Sequence, residues 1–293
     1  MKCLLCQSED HTIFESATSF GFPLSYYRCD DCGLVFQYLM DSQAANPDFY
    51  AETYRKIYQG DPEPTIKDLV VQKQRAEFLI QFLHDNEITD PTRILDIGAS
   101  SGMLLADFRT AFGAETAGVE PGDAYRAYAE AQGLAMSPSL EALVAANTGR
   151  FELISMMHVL EHLPNPVETL RTIRQELLAE GGSLIVEVPN FYAHDSYELA
   201  HLSCFTSHTL KEVLKQAGFK VARLKRHGEP RSDLLNLYLL ALAVPADTPA
   251  RVGKVIPERC VRLKRRLAIF YRRLVQKIFP HRAWRPLPEE MAG

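Results

Sequence analysis

Through the middle of the chain, short apolar runs alternate with stretches whose apolar positions recur at helical spacing. Ile94-Leu95-Asp96-Ile97 runs into a glycine-rich turn and reads as a buried strand. Further strands are expected ending at Gly118-Val119 and over Ala135-Met136-Ser137. The last two are expected over Phe219-Lys220-Val221-Ala222-Arg223-Leu224 and from Asn236 to Val244. A helix is predicted from Thr65 to about Asp85, with Leu69, Ala76, Leu79, Ile80 and Leu83 on one face. Ser139 reads as the N-cap of another helix, Asn165-Pro166 opens a third, and a fourth ends near Ala217-Gly218-Phe219.

Both ends of the chain depart from this pattern. Near the N-terminus, Thr12-Ile13-Phe14 and Ser25-Tyr26-Tyr27-Arg28 read as hairpin strands lying between Cys3-x-x-Cys6 and Cys29-x-x-Cys32-Gly33. Each cysteine pair sets two thiolates on one tight turn, and two such turns facing each other supply four tetrahedral ligands. A structural zinc on Cys3, Cys6, Cys29 and Cys32 is expected, against two disulfides or free thiols. Four cysteine ligands leave no open position for a catalytic water. At the other end, Leu263, Leu267, Phe270, Tyr271, Leu274 and Ile278 make one stripe of a predicted helix from Cys260 to Phe279. From Ala246 to Gly293, twelve lysines and arginines stand against four acids.

The candidate chemistry starts at one turn. Asp96-Ile97-Gly98-Ala99-Ser100-Ser101-Gly102 reads as a strand end, a glycine-rich loop and the start of a helix, the local form of a nucleotide crevice. Gly118-Val119-Glu120-Pro121 ends the next strand in a carboxylate, spaced as the acid that binds a ribose. A dinucleotide would use the same crevice. It calls for Gly-x-Gly-x-x-Gly, and the first glycine pair is absent here.

Composition narrows the classes. The 293 residues carry a formal charge of −5, which argues against a chain built wholly for nucleic acid. No run of about 18 apolar residues suggests a spanning helix, and the first residues lack the form of a signal peptide. The expected location is the cytoplasm, where thiols stay reduced. The division expected is a ribbon over 1–40, an aromatic and helical linker over 41–90, a core over 91–245 and a basic helical tail over 246–293.

From about residue 91 to 244 the chain resembles the class I S-adenosylmethionine-dependent methyltransferases. The resemblance rests on Asp96-x-Gly98-x-x-x-Gly102, on Glu120, on Met157-His158-Val159-Leu160-Glu161-His162-Leu163 after the fourth strand, and on Gly181-Gly182-Ser183 before the fifth. It implies an α/β fold with a seven-stranded, mostly parallel Rossmann-like sheet. It also implies that S-adenosylmethionine lies over Gly98, Ala99, Ser100 and Gly102, with its amino group toward Asp96 and its ribose on Glu120. Pro121 on one side and Ser139-Leu140 on the other would wall the adenine. Met157, His158 and Val159 would stand near the sulfonium.

The cysteine ribbon before this core resembles the nucleotide-sugar methyltransferases of deoxysugar and surface-polysaccharide pathways. That implies a small polar acceptor, a nucleotide-linked sugar, methylated on oxygen, nitrogen or carbon. Ala200 stands where carbon-methylating members have a glutamate before the histidine. His201 is the first candidate base and His158 the second, with Glu161 and His194 behind them; the structural alternative for His201 is to hold the Phe205-Thr206 turn. Tyr50, Tyr54, Tyr58, His162 and His201 are the candidate acceptor contacts. The plainer reading of His162 is a backbone hydrogen bond that ties down its loop. The rivals are an RNA methyltransferase, which would carry an Asn-Pro-Pro-aromatic turn where His158–His162 stand, and a non-catalytic cofactor-binding scaffold. The tail is expected to dock on the core or on a second copy in a homodimer. Its functional alternative is peripheral contact of residues 257–279 with an anionic membrane, with nucleic acid behind that.

Overall fold

The computed structural model describes residues 1–38, 63–195, 197–246 and 255–286. Tyr50, Tyr54 and Tyr58 lie outside the described residues. The N-terminal ribbon is a hairpin of β1 (His11–Ser19) and β2 (Phe22–Cys29), extended by β3 (Val35–Gln37). Helix α1 (Ile66–His84) follows. Its N-cap is a reciprocal pair in which Asp68 N–H donates to Thr65 Oγ1 at 3.3 Å and Thr65 N–H donates to Asp68 Oδ2 at 3.0 Å. Ala76, Leu79, Phe82 and Leu83 are its buried residues, while the expected core positions Leu69 and Ile80 are half-buried.

The core elements come in the expected alternation. They are β4 (Arg93–Ile97), α2 (Met103–Phe112), β5 (Glu115–Val119), α3 (Asp123–Ala131), β6 (Ala135–Ser137), α4 (Leu140–Ala146), β7 (Phe151–Met157), α5 (Pro166–Thr172) and β8 (Leu178–Pro189). After a two-residue strand β9 (Ser203–Cys204) come α6 (Ser207–Gln216), β10 (Phe219–His227) and β11 (Tyr238–Pro245). The seven-stranded sheet runs β10-β11-β8-β7-β4-β5-β6. Pairing is parallel from β8 to β6, and β11 is antiparallel to both β8 and β10. The chain leaves β4 toward β5 and β6, then returns on the other side with β7 and β8. That reversal opens a crevice beyond the carboxyl ends of β4 and β7, which is where such sheets bind ligands.

The ribbon is not a separate unit. Strand β9, from the core, pairs antiparallel with β3 and completes a four-stranded sheet, β1-β2-β3-β9. The tail folds as α7 (Val261–Ile278) and α8 (Pro280–Ala283). It sits on the core through its charged face rather than its apolar stripe. The buried residues of α7 are Val261, Arg265, Arg272 and Val275, and the leucine-aromatic stripe is exposed. The physical reason is a row of backbone acceptors. Arg265 donates to the Phe191 carbonyl and, at 2.7 Å, to that of His194; Arg272 donates to the Ala193 carbonyl at 3.0 Å and pairs with Asp195 at 2.8 Å. Buried carbonyls need donors, and the two guanidiniums supply them. No helix among the described residues is long and apolar enough to cross a membrane.

Candidate active site

The turn after β4 is built by close approach. Gly98 has φ +77°, and a Cβ there would stand 2.3 Å from Val159 Cγ2. Its N–H and that of Ala99 both donate to the Val119 carbonyl, at 2.8 and 2.9 Å, which ties the loop to the end of β5. Gly102 also has a positive φ, +77°, but it does not line the crevice. A Cβ there would meet Leu134 Cδ1 at 2.4 Å, so this glycine lets α2 start close to the α3–β6 connection. Ser100 and His158 hold left-handed backbone at φ 52° and 57°, a conformation that costs energy in a residue with a side chain and clusters at functional sites.

A cavity of about 660 Å³ opens at the switch point. Asp96, Gly98, Ala99, Ser100, Glu120 and Pro121 line one end of it, and Ser139, Leu140, Met157, His158, Val159 and His162 line the rest. Glu120 is buried, and its carboxylate accepts from Ser100 N–H at 2.9 Å and Gly122 N–H at 3.0 Å. Two carboxylate oxygens offer about four acceptor sites. Asp96 is buried beside Ser155, whose hydroxyl donates to it at 2.6 Å. Burial pushes the Asp96 carboxyl up to about 7; the Ser155 bond opposes this and the Glu120 charge adds to it. Ser139 caps α4 as expected, its Oγ accepting from Ala142 N–H at 3.1 Å, and it also lines the cavity.

Beyond Met157 a second set of ionisable groups surrounds the cavity wall. Glu187, fully buried on β8, meets Arg75 Nε at 3.0 Å, His158 Nε2 at 2.9 Å and His227 Nε2 at 3.1 Å. Burial would raise its pKa, but Arg75, His158 and His227 together hold it well below the usual carboxylate range. His158 also faces Glu161 through Nδ1 at 3.4 Å. Burial opposes its charge, yet the two carboxylates raise its pKa above the ordinary histidine value. His162 is bonded through Nδ1 to the Ala200 carbonyl at 2.8 Å, which is the loop-tying bond expected of it. His201 lies one layer further in. It is 6% exposed, is not among the described residues lining the cavity, and its ring centroid is 5.1 Å from that of His162. Burial, then the neighbouring His162, pushes its pKa down to about 3.

A family model described as a methyltransferase domain matches residues 71–224, just over half of the chain. The chain belongs to this family. It is an S-adenosylmethionine-dependent methyltransferase domain. The methyltransferase is 33% identical over 149 residues to a ubiquinone biosynthesis O-methyltransferase of Cereibacter sphaeroides, covering 47% of this chain and 56% of the relative. It is 31% identical over 105 residues to the protein of the same description from Xanthomonas oryzae pv. oryzae, covering 33% and 43%. The chain thus spans about half the length of these relatives. Its fold is also that of the Burkholderia thailandensis 1,6-didemethyltoxoflavin-N1-methyltransferase, solved with its acceptor and S-adenosylhomocysteine. The TM-score is 0.53 at 19% identity, over 80% of this chain and all of that one.

The methyltransferase carries its ribbon against this site. Cys3, Cys6, Cys29 and Cys32 place their sulfurs within 4.8 Å of one another, with Cys3 and Cys32 at 3.5 Å and Cys6 and Cys29 at 3.4 Å. Leu5 N–H and Leu34 N–H point at Cys3 Sγ and Cys32 Sγ, both at 3.5 Å. From the same ribbon, Tyr26 O–H donates to the Glu198 carbonyl at 2.8 Å, and Gln37 Nε2 donates to the carbonyls of Glu198 and His201, both at 2.7 Å. The loop that holds His162 is therefore gripped from behind by the cysteine module. Pattern reading missed this grip, and it missed Arg75, Glu187 and His227. The only local signal was one carboxylate, Glu187, inside an otherwise apolar strand.

Proposed function

We propose that the protein methylates a hydroxyl of a small polar acceptor, a nucleotide-linked sugar, with His162 as the base. The observation that carries this reading is the 2.8 Å bond from His162 Nδ1 to the Ala200 carbonyl. A carbonyl only accepts, so Nδ1 bears the proton, and in the neutral ring Nε2, 3.9 Å from Glu161 Oε1, is the proton-accepting nitrogen. His162 lines the cavity, as do Met157 and Val159 at the end of β7. Bound there, S-adenosylmethionine supplies an activated sulfonium methyl group. Asp96 would hold its amino group and Glu120 its ribose hydroxyls. The Gly98 cradle, which a Cβ would fill, fits a cofactor backbone passing close by.

The base role moves from His201 and His158 to the residue between them. His201 is buried and neutral at physiological pH, and a pKa near 3 makes it a poor proton acceptor. It backs His162 instead. His158 has both ring nitrogens against carboxylates, Glu161 and Glu187, so both are already engaged. Positioning does most of the remaining work: aligned reactants reach effective molarities of about 10⁵–10⁸ M.

Two features support the sugar nucleotide. A cysteine ribbon precedes the core, and Lys67 and Arg231 line the cavity, cations suited to a diphosphate. The second reading is a phenolic hydroxyl of a quinone precursor, favoured by the description of the Cereibacter and Xanthomonas relatives. Incubation with deuteromethyl-labelled cofactor and a panel of both acceptor types separates them by mass spectrometry. Label on the sugars alone supports the first reading, and label on the phenols alone replaces it with the second.

We also infer that the four cysteines hold a structural zinc in a reduced, cytoplasmic compartment. Tetrahedral zinc with bonds of about 2.3 Å sets its sulfurs about 3.8 Å apart, close to the spacings found. Disulfide sulfurs would stand about 2.05 Å apart. The two N–H groups aimed at sulfur favour thiolates.

A further inference from the structure

Helix α7 is seated with its charges inward. Arg265 and Arg272 are 7% and 9% exposed, whereas Leu263, Leu267, Phe270 and Tyr271 are 57–69% exposed, and Leu274 and Ile278 are 45% and 55% exposed. At about 100° per residue, these six side chains fall within an arc of about 100°. A helix on a globular domain normally turns such a stripe to the core. Here the core side is taken by the guanidinium bonds to residues 191–195, and no described residue covers the stripe. A contiguous apolar face of this kind marks an interaction site.

We propose that this face seats the methyltransferase on an anionic membrane surface. Arg266, Arg273 and Lys277 are exposed along one margin of the stripe and Lys264 lies along the other. An apolar face between cationic margins is the pattern of a helix lying in a lipid headgroup layer. The same margins disfavour a second copy. A twofold contact sets a face against itself, and would bring both basic rows together. The helix also packs on residues that lead toward the site. Arg265 stacks at 4.6 Å on Phe191 and 5.4 Å on Tyr197, at the start of the loop that leads to Ala200 and His201. Beyond α8, Arg285 N–H donates at 2.7 Å to the carbonyl of Arg231, which lines the cavity. The tail is thus tied to the cavity through Arg231, and the proposal holds whichever acceptor the cavity takes.

The test is co-sedimentation of the full chain with vesicles of phosphatidylcholine alone or mixed with phosphatidylglycerol. We expect pelleting with the mixed vesicles only, lost as salt rises from about 0.1 to about 1 M and screening tightens from about 10 to about 3 Å. The double substitution Leu267→Asp with Phe270→Asp should abolish pelleting. Arg266→Gln with Arg273→Gln should weaken the partition constant about 30-fold, from about 1 kcal/mol per basic residue. Both variants should keep wild-type affinity for S-adenosylhomocysteine, which reports an intact fold. Absence of wild-type pelleting, or equal pelleting of the aspartate variant, overturns the proposal. So does a wild-type dimer by light scattering that becomes monomeric in the aspartate variant, which would assign the face to a second copy.

Discussion

Gln37 and His201 are joined by a 2.7 Å hydrogen bond from the Gln37 side-chain amide to the His201 carbonyl. The bond runs from the strand that follows the cysteine knuckles to the loop whose Ala200 carbonyl orients His162. Ribbon and catalytic pocket are thus mechanically continuous. Gln37→Leu should lower turnover about tenfold or more while leaving S-adenosylhomocysteine affinity unchanged. An equal loss of both would mean that the residue only supports the fold.

Zinc removal should act through the same connection. One zinc per chain is expected by elemental mass spectrometry, and Cys29→Ser should lose it. A structural zinc is worth about 10–16 kcal/mol of apparent binding free energy in small domains, so the ribbon should open first. Protease cleavage near residues 20–38 should precede cleavage of the core. Full ribbon protection in zinc-free protein would show that the cysteines need no metal.

Cofactor affinity should depend on pH through Asp96. Its carboxyl is pushed up to about 7 by burial, and the cofactor ammonium favours the ionised form. Binding therefore releases a proton below that pH, and affinity should fall as pH drops from about 8 to about 6, approaching tenfold per unit on the acid side. Asp96→Asn should bind weakly with a flat profile over this range. Calorimetry with S-adenosylhomocysteine measures both.

Glu187, whose pKa is shifted the other way, makes folding stability fall toward acid as well. Its pKa is held below the ordinary value, so the unfolded chain binds its proton more readily than the native state does. The stability it contributes is present above about pH 4.3 and is lost as pH falls through that value toward the lower native pKa. Glu187→Gln leaves Arg75, His158 and His227 without their shared anion and should cost about 3–5 kcal/mol at neutral pH. Urea denaturation at several pH values should show both the loss and a shallower acid slope.

Gly98 and Gly113 make a paired test of the cradle. Both have positive φ, +77° and +65°, but an added Cβ meets Val159 at 2.3 Å in the first and nothing within 4 Å in the second. Gly98→Ala should weaken S-adenosylhomocysteine binding at least about tenfold, or about 1.4 kcal/mol. Gly113→Ala should carry only backbone strain of about 1–2 kcal/mol and leave affinity unchanged.

Most of the core was legible because its signals are local. The Gly98 loop, Glu120 at a strand end and the Ser139 cap each follow from a few neighbouring residues and recur in the structure as expected. The Glu187 hub was not legible, because Arg75, His158 and His227 come from three elements far apart in sequence. Strand β9, two residues long, carries no periodic pattern at all, so the docking of ribbon on core was invisible. The tail shows a different limit. Periodicity places Leu267 and Phe270 on one face of α7, but which face docks was decided by the carbonyls of residues 191–194.

The central proposal is methyl transfer to a hydroxyl, with the proton taken by His162. Its most direct test is NMR of the product formed with isotope-labelled S-adenosylmethionine, by wild type and by His162→Ala. We expect a methyl group on oxygen from the wild-type protein, and a rate about 10²–10⁴-fold lower from the variant at unchanged cofactor affinity. A methyl group on carbon or nitrogen, or wild-type turnover by His162→Ala, would refute it.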